Sequence, residues 1–217
     1  MCGALGVGTV WNYSWLDRAR LMSALSLRIM DPWFGAGRTG QAQPKHGAAR
    51  ITPWDFDGST MQGDSVTAVC SLPAQTFPGR AFGLALRYEV TFGPELELKL
   101  TVINQGDETT SFEEALHTYL AVDDIRGVRV EGLDGACYVD HAGAKTEKTQ
   151  MGEVVFTGQA ARVYARGATV ILHGAAGGRA LKIAFEGATN TVCGIRGSMA
   201  RLRSWGSLML PAWRGVD

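Results

Sequence analysis

Four histidines, His46, His117, His141 and His173, are the side chains best suited to proton transfer near neutral pH, because imidazole titrates close to it. None is spaced as HExxH or HxH, so no metal centre is expected from local spacing. His141 and His173 read as ordinary hydrogen-bonded groups of a sheet. His46 lies in Pro44-Lys45-His46-Gly47-Ala48-Ala49-Arg50, where Lys45 and Arg50 add positive charge to a loop-like stretch. An arginine fork and a lysine point charge suit a phosphate, and the same composition also suits a solvated basic loop. His117 lies in Glu113-Glu114-Ala115-Leu116-His117-Thr118-Tyr119. Strand alternation there places Glu113, Ala115, His117 and Tyr119 on one face, an acid/base setting.

The elements that must position these groups read as strands. Leu96, Leu98, Leu100 and Val102 alternate with Glu95, Glu97, Lys99 and Thr101, so one face is apolar and the other wet. Leu84, Leu86, Tyr88 and Val90 repeat that pattern, and Gly93-Pro94 predicts a turn joining the two into an antiparallel hairpin. Further strands are expected at Val66 to Leu72, Phe112 to Leu120, Val128 to Gly132, Val154 to Thr157, Val163 to Ala165, Thr169 to His173 and Leu181 to Phe185. Many short strands with frequent turn signals predict an all-β antiparallel sandwich. Ser14 to Met30 carries a capping-box-like start and helical spacing, which predicts a short amphipathic helix. Met199, Leu202, Trp205 and Met209 could line a C-terminal helix covering a sheet edge.

Bulk composition bounds the class. The chain has 217 residues, 46% hydrophobic and 19% charged, with formal net charge zero. That content fits one globular domain, and it gives no basic field for nucleic acid or anionic lipid. No nucleic-acid or membrane partner is expected, and a monomer is expected. No run approaches the roughly 20 apolar residues of a membrane span, and the N-terminus lacks secretory-signal features, so a cytoplasmic location is expected. Cys2, Cys70, Cys137 and Cys193 form no CxxC pair and read as reduced thiols, with Cys70 and Cys137 expected in the core.

Three segments together resemble the hexose-6-phosphate mutarotases (glucose-6-phosphate 1-epimerases) of the galactose-mutarotase-like superfamily. The first is Pro32-Trp33-Phe34-Gly35 followed by Pro44-Lys45-His46-Gly47-Ala48-Ala49-Arg50 and Trp54. The second is Ala115-Leu116-His117-Thr118-Tyr119. The third is Val128-x-Val130-x-Gly132-Leu133-x-Gly135-x-x-Tyr138-x-Asp140. The resemblance covers about Asp31 to Val192 and implies a supersandwich-type β fold over 31–192. It implies interconversion of the α and β anomers of an aldohexose 6-phosphate, such as glucose 6-phosphate, with no metal or organic cofactor. By the same resemblance His117 is the general acid, His46 positions the sugar, and Arg50, beside Lys45, faces the phosphate.

The ends, 1–30 and 193–217, depart from that pattern within what is expected to be a single domain. A Val-Trp-Asn-Pro segment and a later catalytic glutamate should follow Thr191-Val192, yet the chain continues Cys193-Gly194-Ile195-Arg196. The general base is therefore unassigned. Ala161 stands where the family commonly has an Asp, and Leu27-Arg28-Ile29-Met30 stands where an Arg-Gly-Gly motif is expected. Three readings stay open. The ends are out-of-frame or substituted sequence; or the chain is a diverged enzyme using Glu186, Glu114 or another carboxylate; or it is a truncated, inactive member or noncatalytic sugar-phosphate-binding module.

Overall fold

The computed structural model describes residues 7–14, 28–74, 76–77, 80–81, 83–175, 177–195, 206–209 and 212–216. Almost everything regular among them is strand. In chain order these are β1 (Val7–Ser14), β2 (Arg28–Met30), β3 (Asp55–Gln62), β4 (Ser65–Leu72), and a separate two-stranded pair of β5 (Thr76–Phe77) and β6 (Arg80–Ala81). There follow β7 (Leu84–Phe92), β8 (Glu95–Asn104), β9 (Phe112–His117), β10 (Tyr119–Val122) and a short 3-10 turn at Ile125–Gly127. Next come β11 (Arg129–Glu131), β12 (Cys137–Asp140), β13 (Glu147–Thr149), β14 (Val154–Val155), β15 (Ala160–Tyr164) and β16 (Val170–Ala175). The last are β17 (Arg179–Glu186), β18 (Asn190–Ile195), β19 (Gly206–Met209) and β20 (Ala212–Val216). No helix among the described residues is long and apolar enough to cross a membrane.

All pairing between the strands among the described residues is antiparallel. The hairpin expected from alternation forms as β7 and β8, with Leu86 opposite Val102 and Val90 opposite Leu98. Leu96, Leu98, Leu100 and Val102 are buried while the residues between them are half-buried. From β8 the ladder continues through β1 to β17 and β16, then through β10 and β19 to β18. There it divides, one arm running to β15, β12 and β13, the other to β20, β9 and β2. The sheet closes over one apolar cluster in which Leu98 of β8, Leu116 of β9, Tyr164 of β15 and Leu172 of β16 all take part. Opposed sheet surfaces sharing one dry core make the sandwich.

Several expectations change. Residues 28–30, read from sequence as the end of a helix, are strand β2 paired with β9, while 15–27 lie outside the described residues. Residues 206–209, within the proposed C-terminal helix, are strand β19 held between β10 and β18; Met199, Leu202 and Trp205 lie outside the described residues. Backbone pairing, on one side for β2 and on both for β19, outweighs local helical spacing. The single strand expected over Phe112 to Leu120 divides at Thr118, because the chain changes neighbours there: β9 pairs with β2 and β20, β10 with β16 and β19. Cys70 is half-buried and Cys137 exposed rather than core, whereas Cys193 is fully buried and its thiol is pushed up to about 12 by that burial. Cys2 lies outside the described residues.

Candidate active site

His117 ends β9, a strand with no wet face: all six of its residues are buried, His117 itself at 7% exposure. Across β2 it stands opposite Arg28, and Ala115, two residues back on the same face, stands opposite Met30. Immediately beyond Met30, Asp31 makes a parallel bridge with Gly47, and the Ala49 N–H donates to the Asp31 carbonyl at 3.3 Å. The Pro44–Arg50 loop is thereby fixed to the end of the strand that flanks β9. Gly47 has φ +69°, and a Cβ there would lie 2.0 Å from the Asp31 oxygen, so only glycine permits the approach.

His46 precedes that glycine with φ +68°, in the left-handed region that a non-glycine residue rarely adopts. Two bonds to Gly35 hold it there. The His46 N–H donates to the Gly35 carbonyl at 2.5 Å, and the Gly35 N–H donates to His46 Nδ1 at 3.1 Å. The Phe34 ring meets the imidazole edge-on, 5.1 Å between centroids at 76°. With Nδ1 accepting, the neutral ring carries its proton on Nε2, which makes Nε2 a donor. Trp33 is fixed to the same loop by its indole N–H, 2.8 Å from the Pro44 carbonyl.

Arg50 wraps back so that Nε and Nη2 both donate to the Lys45 carbonyl, at 3.1 and 2.8 Å. Lys45, His46 and Arg50 are thus gathered by one loop, with Lys45 exposed and the other two half-buried. Five donors on a guanidinium leave Arg50 with bonding capacity beyond that carbonyl.

The carboxylates named as alternative bases are placed elsewhere. Glu186 ends β17, which pairs with β16 and β1 and not with the strands flanking His117. Glu114 lies an odd number of residues from His117, so alternation turns it to the other face of β9. There it sits near Asp31, whose carboxyl is held well above its usual range by burial and then by the Glu114 charge. Asp31 Oδ2 finds no hydrogen-bond partner among the described residues. Sequence reading missed Asp31, because an aspartate before a proline reads as a turn.

Ala161 stands opposite Gly194, and its N–H donates to Asp140 Oδ1 at 3.0 Å. The same oxygen accepts from the Ala142 N–H at 3.0 Å, so the Tyr138-x-Asp140 motif ties β15 to the turn after β12. Arg162 lies over the Tyr138 ring at 5.3 Å, and the Tyr164 hydroxyl donates to Gln150 Oε1 at 2.9 Å, with burial pushing that hydroxyl's pKa upward. His141 is exposed, and His173 Nε2 lies 3.2 Å from Glu131 Oε2. Glu131, Glu153 and His173 bring ligand-type atoms within 4.8 Å of one another, but Arg129 Nε, 3.4 Å from Glu153 Oε2, already supplies a cation to that surface cluster.

The family model for aldose 1-epimerase matches residues 28–188. The chain belongs to the aldose 1-epimerase family. A curated Escherichia coli protein named "Putative glucose-6-phosphate 1-epimerase" is 34% identical over 139 residues, 61% of this chain and 44% of that protein. A protein of the same name from Cenchrus ciliaris is 39% identical over 83 residues, 36% of this chain and 25% of its own length. The matched stretch therefore spans less than half of either relative. Among solved structures, a Salmonella typhimurium protein titled a "putative mutarotase" superposes with TM-score 0.73 at 22% identity, covering 86% of this chain and 65% of that one. A Synechocystis sp. PCC 6803 protein superposes with TM-score 0.72 at 17% identity, covering 94% and 73%. These likenesses bear out the β-sandwich of this aldose 1-epimerase family member.

Proposed function

We propose that this chain binds hexose 6-phosphates and acts as a glucose-6-phosphate 1-epimerase, exchanging α and β anomers as a single-domain, monomeric, cytoplasmic protein. The observation that carries this reading is the loop at Asp31–Arg50. It combines a histidine fixed as an Nε2 donor with an arginine and a lysine, anchored beside the strand that bears His117.

In the proposed reaction His117 gives a proton to the ring oxygen as the C1–O5 bond breaks, and a base takes the proton of the anomeric hydroxyl as the C1 carbonyl forms. Rotation about C1–C2 and reversal of both transfers close the other anomer, with no net change in protons or electrons. Nε2 of His46 donates to a sugar oxygen, and Arg50 with Lys45 meets the phosphate. A second reading, a noncatalytic sugar-phosphate-binding module, is favoured by the alternation that turns Glu114 to the face of β9 opposite His117, by Glu186 lying on a strand paired with β1 and β16, and by Ala161.

Polarimetry of freshly dissolved α-glucose 6-phosphate separates the two. Acceleration by the wild type that His117→Ala abolishes supports the enzyme. Unchanged anomerisation overturns it, and ligand-induced thermal stabilisation without acceleration identifies the binding module.

A further inference from the structure

We propose that Glu113 is a positioning residue for His46, an inference that rests on the role assigned above to the His46 Nε2 donor. Glu113 is buried at 8% exposure, four residues before His117 and on the same face of β9 by alternation. Three of its contacts clasp the segment from Pro32 to Arg38. Its N–H donates to the Pro32 carbonyl at 3.1 Å, Oε2 accepts the Phe34 N–H at 2.9 Å, and Oε1 lies 3.7 Å from Arg38 Nε.

The clasped residue is the one that touches His46. The Phe34 ring packs edge-on against the imidazole, and the peptide that follows it supplies the Gly35 N–H bonded to Nδ1. An ionised carboxylate is acceptor-only and forms stronger bonds to N–H groups than a neutral acceptor does, so it is well matched to pinning a backbone amide. Releasing Phe34 loosens both contacts together. The imidazole is then no longer confined to the tautomer with the proton on Nε2, and the other tautomer offers a sugar oxygen a lone pair where a donor is needed. One strand therefore places His117 directly and His46 at one remove. Arg38, half-exposed and lining a cleft of about 110 Å³ with Trp33, Thr39, Ser111 and Glu113, lies by Oε1, whereas the Phe34 N–H is held by Oε2.

Imidazole nitrogen NMR of the full chain tests this without substrate, comparing wild type with Glu113→Met, Glu113→Gln and Arg38→Ala. Methionine keeps the volume and removes the acceptor, whereas glutamine keeps an oxygen for the Phe34 N–H. The expected result is a single Nε2-protonated neutral His46 in wild type, Glu113→Gln and Arg38→Ala, and a mixture of tautomers in Glu113→Met. Affinity for glucose 6-phosphate should fall about tenfold in Glu113→Met, as for loss of one well-made hydrogen bond, and return with Gln. A wild-type His46 spectrum in Glu113→Met overturns the proposal. If Glu113→Met does not fold, amide exchange in the wild type decides: a Phe34 N–H that exchanges as fast as an unbonded loop amide overturns it, and a protected one that deprotects in Arg38→Ala does so as well. A tautomer shift in a chain that binds no sugar phosphate upholds the positioning and removes the functional reading instead.

Discussion

β8 and β9 are strands of the same core, yet they carry opposite demands. β8 alternates cleanly, with Leu98 fully buried and Lys99 beside it reaching toward Glu89 at 3.6 Å on the wet face. β9 is buried on both faces and still contains Glu113, Glu114 and His117. Water can solvate the charges of β8 at little cost, whereas each polar group of β9 must find its partners inside the protein. Glu113 finds them in the Phe34 amide and Arg38. A strand that tolerates that burden is one whose polar groups are positioned, and this is why the candidate chemistry gathers there and not on the hairpin.

The contrast can be broken in steps. His117→Ala should lower the mutarotation rate by roughly 10²–10⁴-fold, as for loss of a general acid, with the urea midpoint far less affected than by a core deletion. Leu98→Ala should do the reverse. It should cost about 2–5 kcal/mol in urea unfolding, through lost transfer energy and a cavity, and leave ligand affinity of the folded fraction unchanged. A rate loss in Leu98→Ala larger than its unfolded fraction explains would erase the distinction.

Asp31 sharpens it through pH. Its carboxyl is raised in the folded protein by burial and then by Glu114, so the native state holds that proton more tightly than the unfolded chain. For this group stability is fully present below the ordinary value of 3.8 and is lost as pH rises from there toward the raised folded value. Asp31→Asn should flatten that part of the stability profile measured by denaturation across the acidic range; an unaltered slope would show that Asp31 ionises in the native state as freely as in the unfolded one. Smallest of all, Lys99→Ser on the wet face of β8 should change stability by less than about 0.5 kcal/mol, since its ion pair with Glu89 is solvent-screened.

What could be read in the sequence follows the same division. The β7–β8 hairpin was legible because its period and its Gly93-Pro94 turn are local signals. The histidines at 46 and 117 stand out as candidates by residue type and motif, and their roles belong to the proposed function. The break at Thr118, the strands at 28–30 and 206–209 and the exposure of Cys137 were not, because each depends on which distant strand lies alongside. Nor does any local signal reveal that His46 holds a left-handed backbone or that Asp31 faces Glu114 in a dry interior. Those facts belong to the approach of Gly47 to Asp31, a contact between segments that meet only in the folded chain.

β1 carries a consequence for how the molecule is made. It lies between β8 and β17, with Trp11 opposite Leu98 on one side and Phe185 on the other. β1 can take its second neighbour only after more than 160 further residues have been synthesised. Until then β8 can hold one of its edges while the other stays open to pairing with a wrong partner, so a strand made well before its neighbour β17 is secured late, and a slow, aggregation-exposed late phase of folding is the expected signature.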